Sequence, residues 1–377
     1  MEIDDLSKKL VKMAMCLDNQ VPGMAGEIWL EKEWLEEVKS DLPKTENEYR
    51  LLEEETKRLT RGMKDERRKE YIKGMLKSMN FLYCNWDKKI DYRQFSCNVF
   101  GKEICRVNET EIREIEIEIR SLEKEIGLTR QEVYKKNLLK KEQYQEIFAN
   151  NCKIVKDKFR NILNVTDNGI EFELSSQKPW GAFNSHVAPF KSKIILNSDI
   201  NFGKYDLWKL AVHEGYGGHH SELSNKDKLL MEGRGEHGLV ITYSPQAFVS
   251  EALAEAMMKI GGFVDNGDKE QKLVWYYDRL TFGLQNLATY WFNDDGLEIK
   301  EIRERLRKFY ISDKTTEIII NFSTDKIYWA YAPVYYSAYN WLMDIYNRTN
   351  RKTELIIKLF SEPCTPGLVE AEFGEKS

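Results

Sequence analysis

The sequence predicts a mainly α, large helical protein with one small β-sheet inserted ahead of a histidine-bearing helix. Three observations carry that expectation. Apolar residues recur at steps of three and four through most of the chain. Short alternating runs broken by Gly, Pro and Asn are concentrated between Asp167 and Asp206. The 377 residues are 42% hydrophobic and 12% aromatic, ample for a packed core.

From Trp34 to about Leu163 the composition is charged and helix-favouring, with little Gly or Pro after Pro43. In ETEIREIEIEIRSLEKEI the residues Ile112, Ile115, Ile119, Leu122 and Ile126 form one apolar stripe. Gly127 is placed to end that helix, and TRQE, with Thr129 and Glu132 at capping-box spacing, to begin the next. The runs IEFEL and KIILN then read as strands, and His186 as a structural residue on the turn before the second. Beyond them, YDLWKLAVHE, PQAFVSEALAEAMMKIGG, KLVWYYDRLTFGLQNLATYWF, IKEIRERLRKFY and the tyrosine-rich IYWAYAPVYYSAYNWLM read as helices. A border near residue 165 divides an N-terminal helical region, 1–165, from a region 166–377 that holds the candidate site, unless the two form one continuous domain.

Charge excludes some partners. Lys and Arg number 57 against 62 Asp and Glu, a net charge of −5, so nucleic acid is not expected. Six cysteines are scattered without a CxxC pair, and the N-terminal stretch has neither a basic start nor an apolar signal core. The thiols are expected reduced and the protein cytoplasmic. No apolar run reaches the roughly 20 residues of a membrane helix, so no membrane partner is expected either.

The chemistry concentrates in VHEGYGGHHSEL. Three of the five histidines lie there, beside Glu214. A zinc hydrolase needs about three His or carboxylate ligands, an open position for water, and a carboxylate to take that water's proton. Here the residue four after His213 is Gly217, and the next histidines are His219 and His220. An ideal helix turns His219 about 600° from His213, to the wrong face, and returns His220 to the same face about 10 Å along the axis. A regular helix therefore makes no site. Gly217 and Gly218 suit a bulged turn, and with two residues looped out His219 takes the fourth-position place.

These residues resemble the HExxPGHH signature of the family named domain of unknown function 885, placed with the gluzincin-type zinc metallopeptidases. Gly217-Gly218 stand where that family has Pro-Gly. The resemblance, which covers roughly residues 180 to 370, implies a zincin-like fold, with zinc held by His213 and His219 and with Glu214 as base. It also implies a third ligand from a phrase like F-x-EGWAxYxE. AFVSEALAEAMMKI is similar, with Glu251 as the ligand and Leu253 in place of Trp. An acidic residue among Ala and Leu is costly unless paired or ligating, which favours Glu251 independently. Glu255, one turn on, either orients a ligating histidine or is an ordinary exposed Glu. Near the C-terminus APVYYSAYNW resembles the family's P-G-Q-x-x-x-Y phrase. It implies Tyr339 as an oxyanion donor, with Tyr331, Tyr335 and Tyr336 close by, or else plain aromatic packing. Zincins commonly align a peptide along an edge strand, so KIILNS and Asn197 enter as candidates for that role. Arg279 has no role assigned, and His220 is expected to be hydrogen-bonded or substrate-facing.

The expected function is a zinc-dependent hydrolase of a peptide or small amide substrate. The alternative is a non-catalytic metal-binding or scaffold protein of the same fold, against which Glu214 argues, since a structural zinc site needs no base. An anion-binding turn at GYGGHH would want a basic residue soon after the glycines. The first lysine there comes eight residues past Gly218.

Overall fold

The computed structural model describes residues 3–374 apart from 164 and 179. Helices dominate, and the caps foreseen in the sequence are formed. Gly127 ends helix Glu109–Ile126 in the left-handed region at φ 75°, and Thr129 and Glu132 close a reciprocal capping box on Arg130–Lys136. Asp4, Thr45, Asp65, Asp91 and Asn108 each accept an N–H bond that would otherwise be orphaned at the start of a helix. The tyrosine-rich segment is helical only from Val334 to Arg348, since the ring of Pro333 fits best at a helix start.

Among the described residues, five strands make two small sheets. β1 (Ala25–Ile28) pairs antiparallel with β5 (Leu239–Ile241). β2 (Ile170–Ser175), β3 (Ala182–Ala188) and β4 (Lys191–Asn197) form the other in the order β2-β4-β3, with β2 parallel and β3 antiparallel to β4. This corrects two expectations. KIILN is the central strand, paired on both sides, and the Asn197 amide donates to the Lys178 and Trp180 carbonyls as a turn-holding group. Of the two edge strands, β2 and β3, it is β3 that lines the cavity beside the clustered histidines. His186 lies within β3, not on a turn, and its role is structural: Nε2 stands 2.7 Å from Asp227 Oδ2 and Nδ1 3.1 Å from Ser192 Oγ.

Two apolar clusters hold the helices together. In one, the stripe Ile112, Ile119 and Leu122 meets Leu280, Leu284 and Leu287 of helix Lys269–Asn293. Each such buried side chain contributes about 1.5–3 kcal/mol. The larger cluster runs from Ile3 to Phe373 and encloses helix Pro245–Ile260, which touches helices Glu66–Asn85, Val334–Arg348 and Pro366–Phe373. All six cysteines are free thiols. No helix among the described residues is long and apolar enough to cross a membrane.

Candidate metal centre

The helix entering the site, Lys204–Leu210, widens into a π-helical turn over Ala211–Tyr216, and Gly215 leaves helical geometry altogether at φ −98°, ψ −136°. The chain loops through Gly217 and Gly218 and restarts as helix His219–Met231. Close packing explains both glycines. A Cβ on Gly217 would lie 2.6 Å from Val212 Cγ1, and one on Gly218 2.0 Å from the His213 carbonyl oxygen. The loop brings the rings of His213 and His219 to a centroid separation of 4.8 Å at 86°.

Glu251 completes the group from helix Pro245–Ile260, where Ser244 caps the N-terminus and Pro245 occupies the first turn. Its neighbours Ala252, Leu253 and Ala254 are fully buried. His213, His219 and Glu251 each offer one ligand atom, all within 4.8 Å of one another. His213 Nε2 is 3.4 Å from Glu251 Oε2, and His219 Nε2 is 3.6 Å from Glu251 Oε1. Ligand atoms about 2.05 Å from a tetrahedral zinc are separated by about 3.4 Å, so the spacing suits a metal ion.

The groups behind the ligands also fit a cation. His213 Nδ1 is 3.1 Å from Glu255 Oε1. His219 Nδ1 is 3.1 Å from Ser250 Oγ, whose own proton goes to Glu222. Ser250, its proton committed to Glu222, is an acceptor for His219 Nδ1, which leaves His219 Nε2 free to face Glu251, whereas His213 Nδ1 lies against the Glu255 carboxylate without a hydrogen bond formed. Tyr331 donates to Glu251 Oε1 at 2.9 Å, while Glu251 Oε2 is buried without a hydrogen-bond partner among the described residues. Such an orphaned, buried carboxylate oxygen beside His213 Nε2, with His219 Nε2 beside the other oxygen of the same carboxylate, is what a cation would satisfy.

The electrostatics are arranged to keep the outer carboxylates ionised. Burial alone would raise the Glu255 carboxyl, but Lys209 and His213 outweigh it and hold it down at about 2. Lys209 in turn lies 4.0 Å from Glu255 and 3.2 Å from Asp278. Glu222 is also about 2, because Lys226 and His219 overcome its burial. Glu255 is therefore buried and paired, and its reading as an exposed residue is corrected.

Glu214 is buried and lines a cavity of about 290 Å³ together with His213, His219 and Glu251. Asn184 of β3 donates to the Glu214 backbone carbonyl at 2.6 Å, fixing that turn against the edge strand. Tyr331 and Tyr335 line the same cavity. Tyr339 does not. Its ring lies under the Arg279 guanidinium at 4.0 Å and edge-on to Trp275 at 5.8 Å, one helical turn beyond Tyr335. Arg279 itself is buried and donates to the Tyr335 and Tyr336 carbonyls at 3.3 and 3.0 Å, pinning the start of that helix. His220 is fully buried and points away from the cluster: Nδ1 is 2.8 Å from Ser192 Oγ and Nε2 3.8 Å from Asp167. A larger cleft of about 660 Å³, beside Arg130, Tyr134 and Tyr277, includes none of the three clustered side chains.

No protein-family model matches the chain, and no curated protein matches it in sequence. Its fold is similar to those of solved structures. A candidate lipoprotein from Colwellia psychrerythraea has a TM-score of 0.59 at 12% identity, over 95% of this chain and 68% of that one. A candidate lipoprotein of unknown function from Shewanella oneidensis has a TM-score of 0.56 at 12% identity, over 98% and 73%. An M32 carboxypeptidase from Deinococcus radiodurans overlaps at a TM-score of 0.35 and 10% identity, over 99% and 94%, a score too low to bear on function. The likeness is one of fold alone.

Proposed function

We propose that this protein is a zinc-dependent hydrolase of peptide or related amide bonds, with His213, His219 and Glu251 as ligands. The observation that carries this reading is Glu214, a carboxylate in the same 290 Å³ cavity as the three converging side chains. The motif resemblance to the domain of unknown function 885 proteins points the same way. Zinc, when bound, supplies a Lewis acid that makes water nucleophilic near neutral pH.

The protein's own groups then have distinct work. Glu214 takes the proton of the attacking water and passes it to the departing amine nitrogen. Glu255, 3.1 Å from His213 Nδ1, and Ser250, 3.1 Å from His219 Nδ1, stand behind the two imidazoles and favour the tautomer with Nε2 unprotonated. Burial, then the nearby Glu251, Glu214 and Glu255, push the Tyr335 phenol well above its ordinary range, so it stays protonated. A protonated phenol on the cavity wall is a donor to the oxyanion formed as the amide carbonyl is attacked. We assign that donor to Tyr335, not Tyr339. The N-terminal helical region, 1–165, contributes Gly23, Gly26 and Glu27 to the cavity wall, in keeping with a covering role. Six free thiols favour a reducing compartment such as the cytoplasm.

The decisive experiment is Glu214→Gln, isosteric and uncharged. Zinc content and melting temperature should match the parent, while cleavage of a mixed peptide library should fall by roughly two to four orders of magnitude. Undiminished cleavage would remove the mechanism. A metal-loaded parent that cleaves no peptide or simple amide would instead support the scaffold alternative.

A further inference from the structure

The cavity holds a third carboxylate that the proposed chemistry does not use. Glu27, on β1, lines it beside Glu214 and Glu251. The pairing of β1 with β5 slips between Ala25, opposite Ile241, and Glu27, opposite Val240, so Gly26 is an extra residue in the ladder. Bulges of this kind re-aim the side chain that follows. Gly26 is also tightly placed, since a Cβ there would meet Thr242 Oγ1 at 3.0 Å.

The orientation of Glu27 is fixed from the edge strand. The His186 backbone N–H of β3 donates to Glu27 Oε2 at 2.6 Å, and the Ser185 hydroxyl is a second donor. A carboxylate accepts about four hydrogen bonds, so roughly half of its capacity remains. Among the described residues Glu27 makes no ion pair with a lysine or arginine, and neither residue type lines the cavity. The cavity's walls include Trp180, Phe183, Val240 and Phe322. Burial pushes the Glu27 carboxyl above its usual range, against the pull of the Ser185 and His186 bonds. An ionised carboxylate in such surroundings is stabilised by a cation brought in from outside.

We infer that Glu27 receives a primary ammonium group of the substrate, either a free amino terminus or a lysine side chain. This rests on the hydrolase reading for its meaning in catalysis, since it sets which amides are held against Glu214. An ammonium has three donors for the remaining lone pairs, and its chain can run past the aromatic wall toward the cluster.

The test reads binding, not cleavage, on the zinc-loaded protein by calorimetry. Three probes are used: phenylalanine amide, N-acetylphenylalanine amide and Nα-acetyl-lysine amide. The parent should bind phenylalanine amide at least tenfold tighter than its acetylated form. A tighter Nα-acetyl-lysine amide instead would assign the ammonium to a lysine side chain. Glu27→Gln should reduce the preference to within twofold with zinc content unchanged, and Glu27→Asp, which keeps the charge on a shorter arm, should weaken it partially. Equal binding of all three probes by the parent, no binding of either amine at millimolar concentration, or a preference surviving in Glu27→Gln would each overturn the inference. Discrimination by a parent that cleaves nothing would leave the ammonium site standing and remove the hydrolase reading. Cleavage without discrimination would do the reverse.

Discussion

A Cβ on Gly218 would sit 2.0 Å from the carbonyl oxygen of His213, and 3.0 Å from Ala254 Cβ on the helix that carries Glu251. The loop between the two histidines is therefore closed so tightly that hydrogen is the largest group it admits at that position. Gly218→Ala must push the turn away from both ligand-bearing elements. It should cost roughly 1–3 kcal/mol of stability, the scale of overpacking, and lower zinc affinity more than tenfold. Gly217→Ala should cost less, because its Cβ would lie 2.6 Å from Val212 Cγ1 and 2.9 Å from the Val212 carbonyl oxygen, milder contacts than the 2.0 Å approach at Gly218. Denaturant melts and zinc competition with a chelator measure both, and equal, negligible effects would mean the turn relaxes freely.

The ligand set makes a second prediction. His213→Ala, His219→Ala and Glu251→Ala should each empty the site, whereas His220→Gln should keep about one zinc per chain. His220 faces Ser192 and Asp167, and Gln can retain the first contact. Elemental analysis of the four variants decides it. Zinc lost from His220→Gln but kept in His219→Ala would reverse the register of the motif.

Glu255 is not one of the three clustered side chains, yet its Oε1 stands 3.1 Å from His213 Nδ1. Glu255→Gln should weaken zinc binding by about 10–100-fold, the usual effect of losing a group that orients a ligating histidine. Lys209→Met should produce a smaller loss in the same direction, since Lys209 keeps Glu255 ionised. Unchanged affinity in Glu255→Gln would show that packing alone sets the imidazole.

Tyr335 and Tyr339 separate cleanly by position. Tyr335→Phe should lower kcat by about 10- to 1000-fold with little change in KM, as expected for a donor used only in the transition state. Tyr339→Phe, altering a ring that stacks on Arg279, should leave kcat within twofold. The opposite pattern in steady-state kinetics would restore Tyr339 as the oxyanion donor.

A fifth prediction concerns stability and lies away from the metal centre. His237 is buried beside Tyr71, with both ring nitrogens lacking a hydrogen bond among the described residues, and burial depresses its pKa from 6.5 to about 4 despite Glu236 at 3.9 Å from Nε2. The unfolded chain thus binds a proton first as the pH falls. His237 is without penalty above about pH 6.5, and stability is lost progressively between there and about pH 4. The shift sets an upper limit of about 3 kcal/mol on that loss. His237→Phe should flatten the slope of unfolding free energy over this window by up to one proton. An unaltered slope would place the acid sensitivity elsewhere.

Much of the centre is legible in the sequence, and its limits have physical reasons. The convergence of His213 and His219 follows from helical rotation and the two glycines, and Glu251 is marked by its apolar neighbours. The tyrosines at 331, 335 and 339 recur every four residues, so spacing alone cannot say which turn reaches the cavity. β3 is hidden because Asn184, His186 and Pro189 in AFNSHVAPF interrupt the alternation that marks a strand. β1 and β5 are hidden because AGEI and LVI are too short to show a period and meet across more than 200 residues of chain. Glu27 escapes notice for that reason: its place beside the cluster depends on a bulge in a sheet the sequence does not announce.

The enclosure of helix Pro245–Ile260 also governs when the site can come into being. All three clustered side chains lie between positions 213 and 251, yet the helix carrying Glu251 is seated on Glu66–Asn85 and under Pro366–Phe373. As the polypeptide leaves the ribosome, the histidines emerge long before the last of those supports. Contacts of such wide sequence separation form late and slowly. Assembly of the cluster is therefore tied to tertiary structure drawn from both early and late parts of the chain, and not to the 213–251 stretch alone.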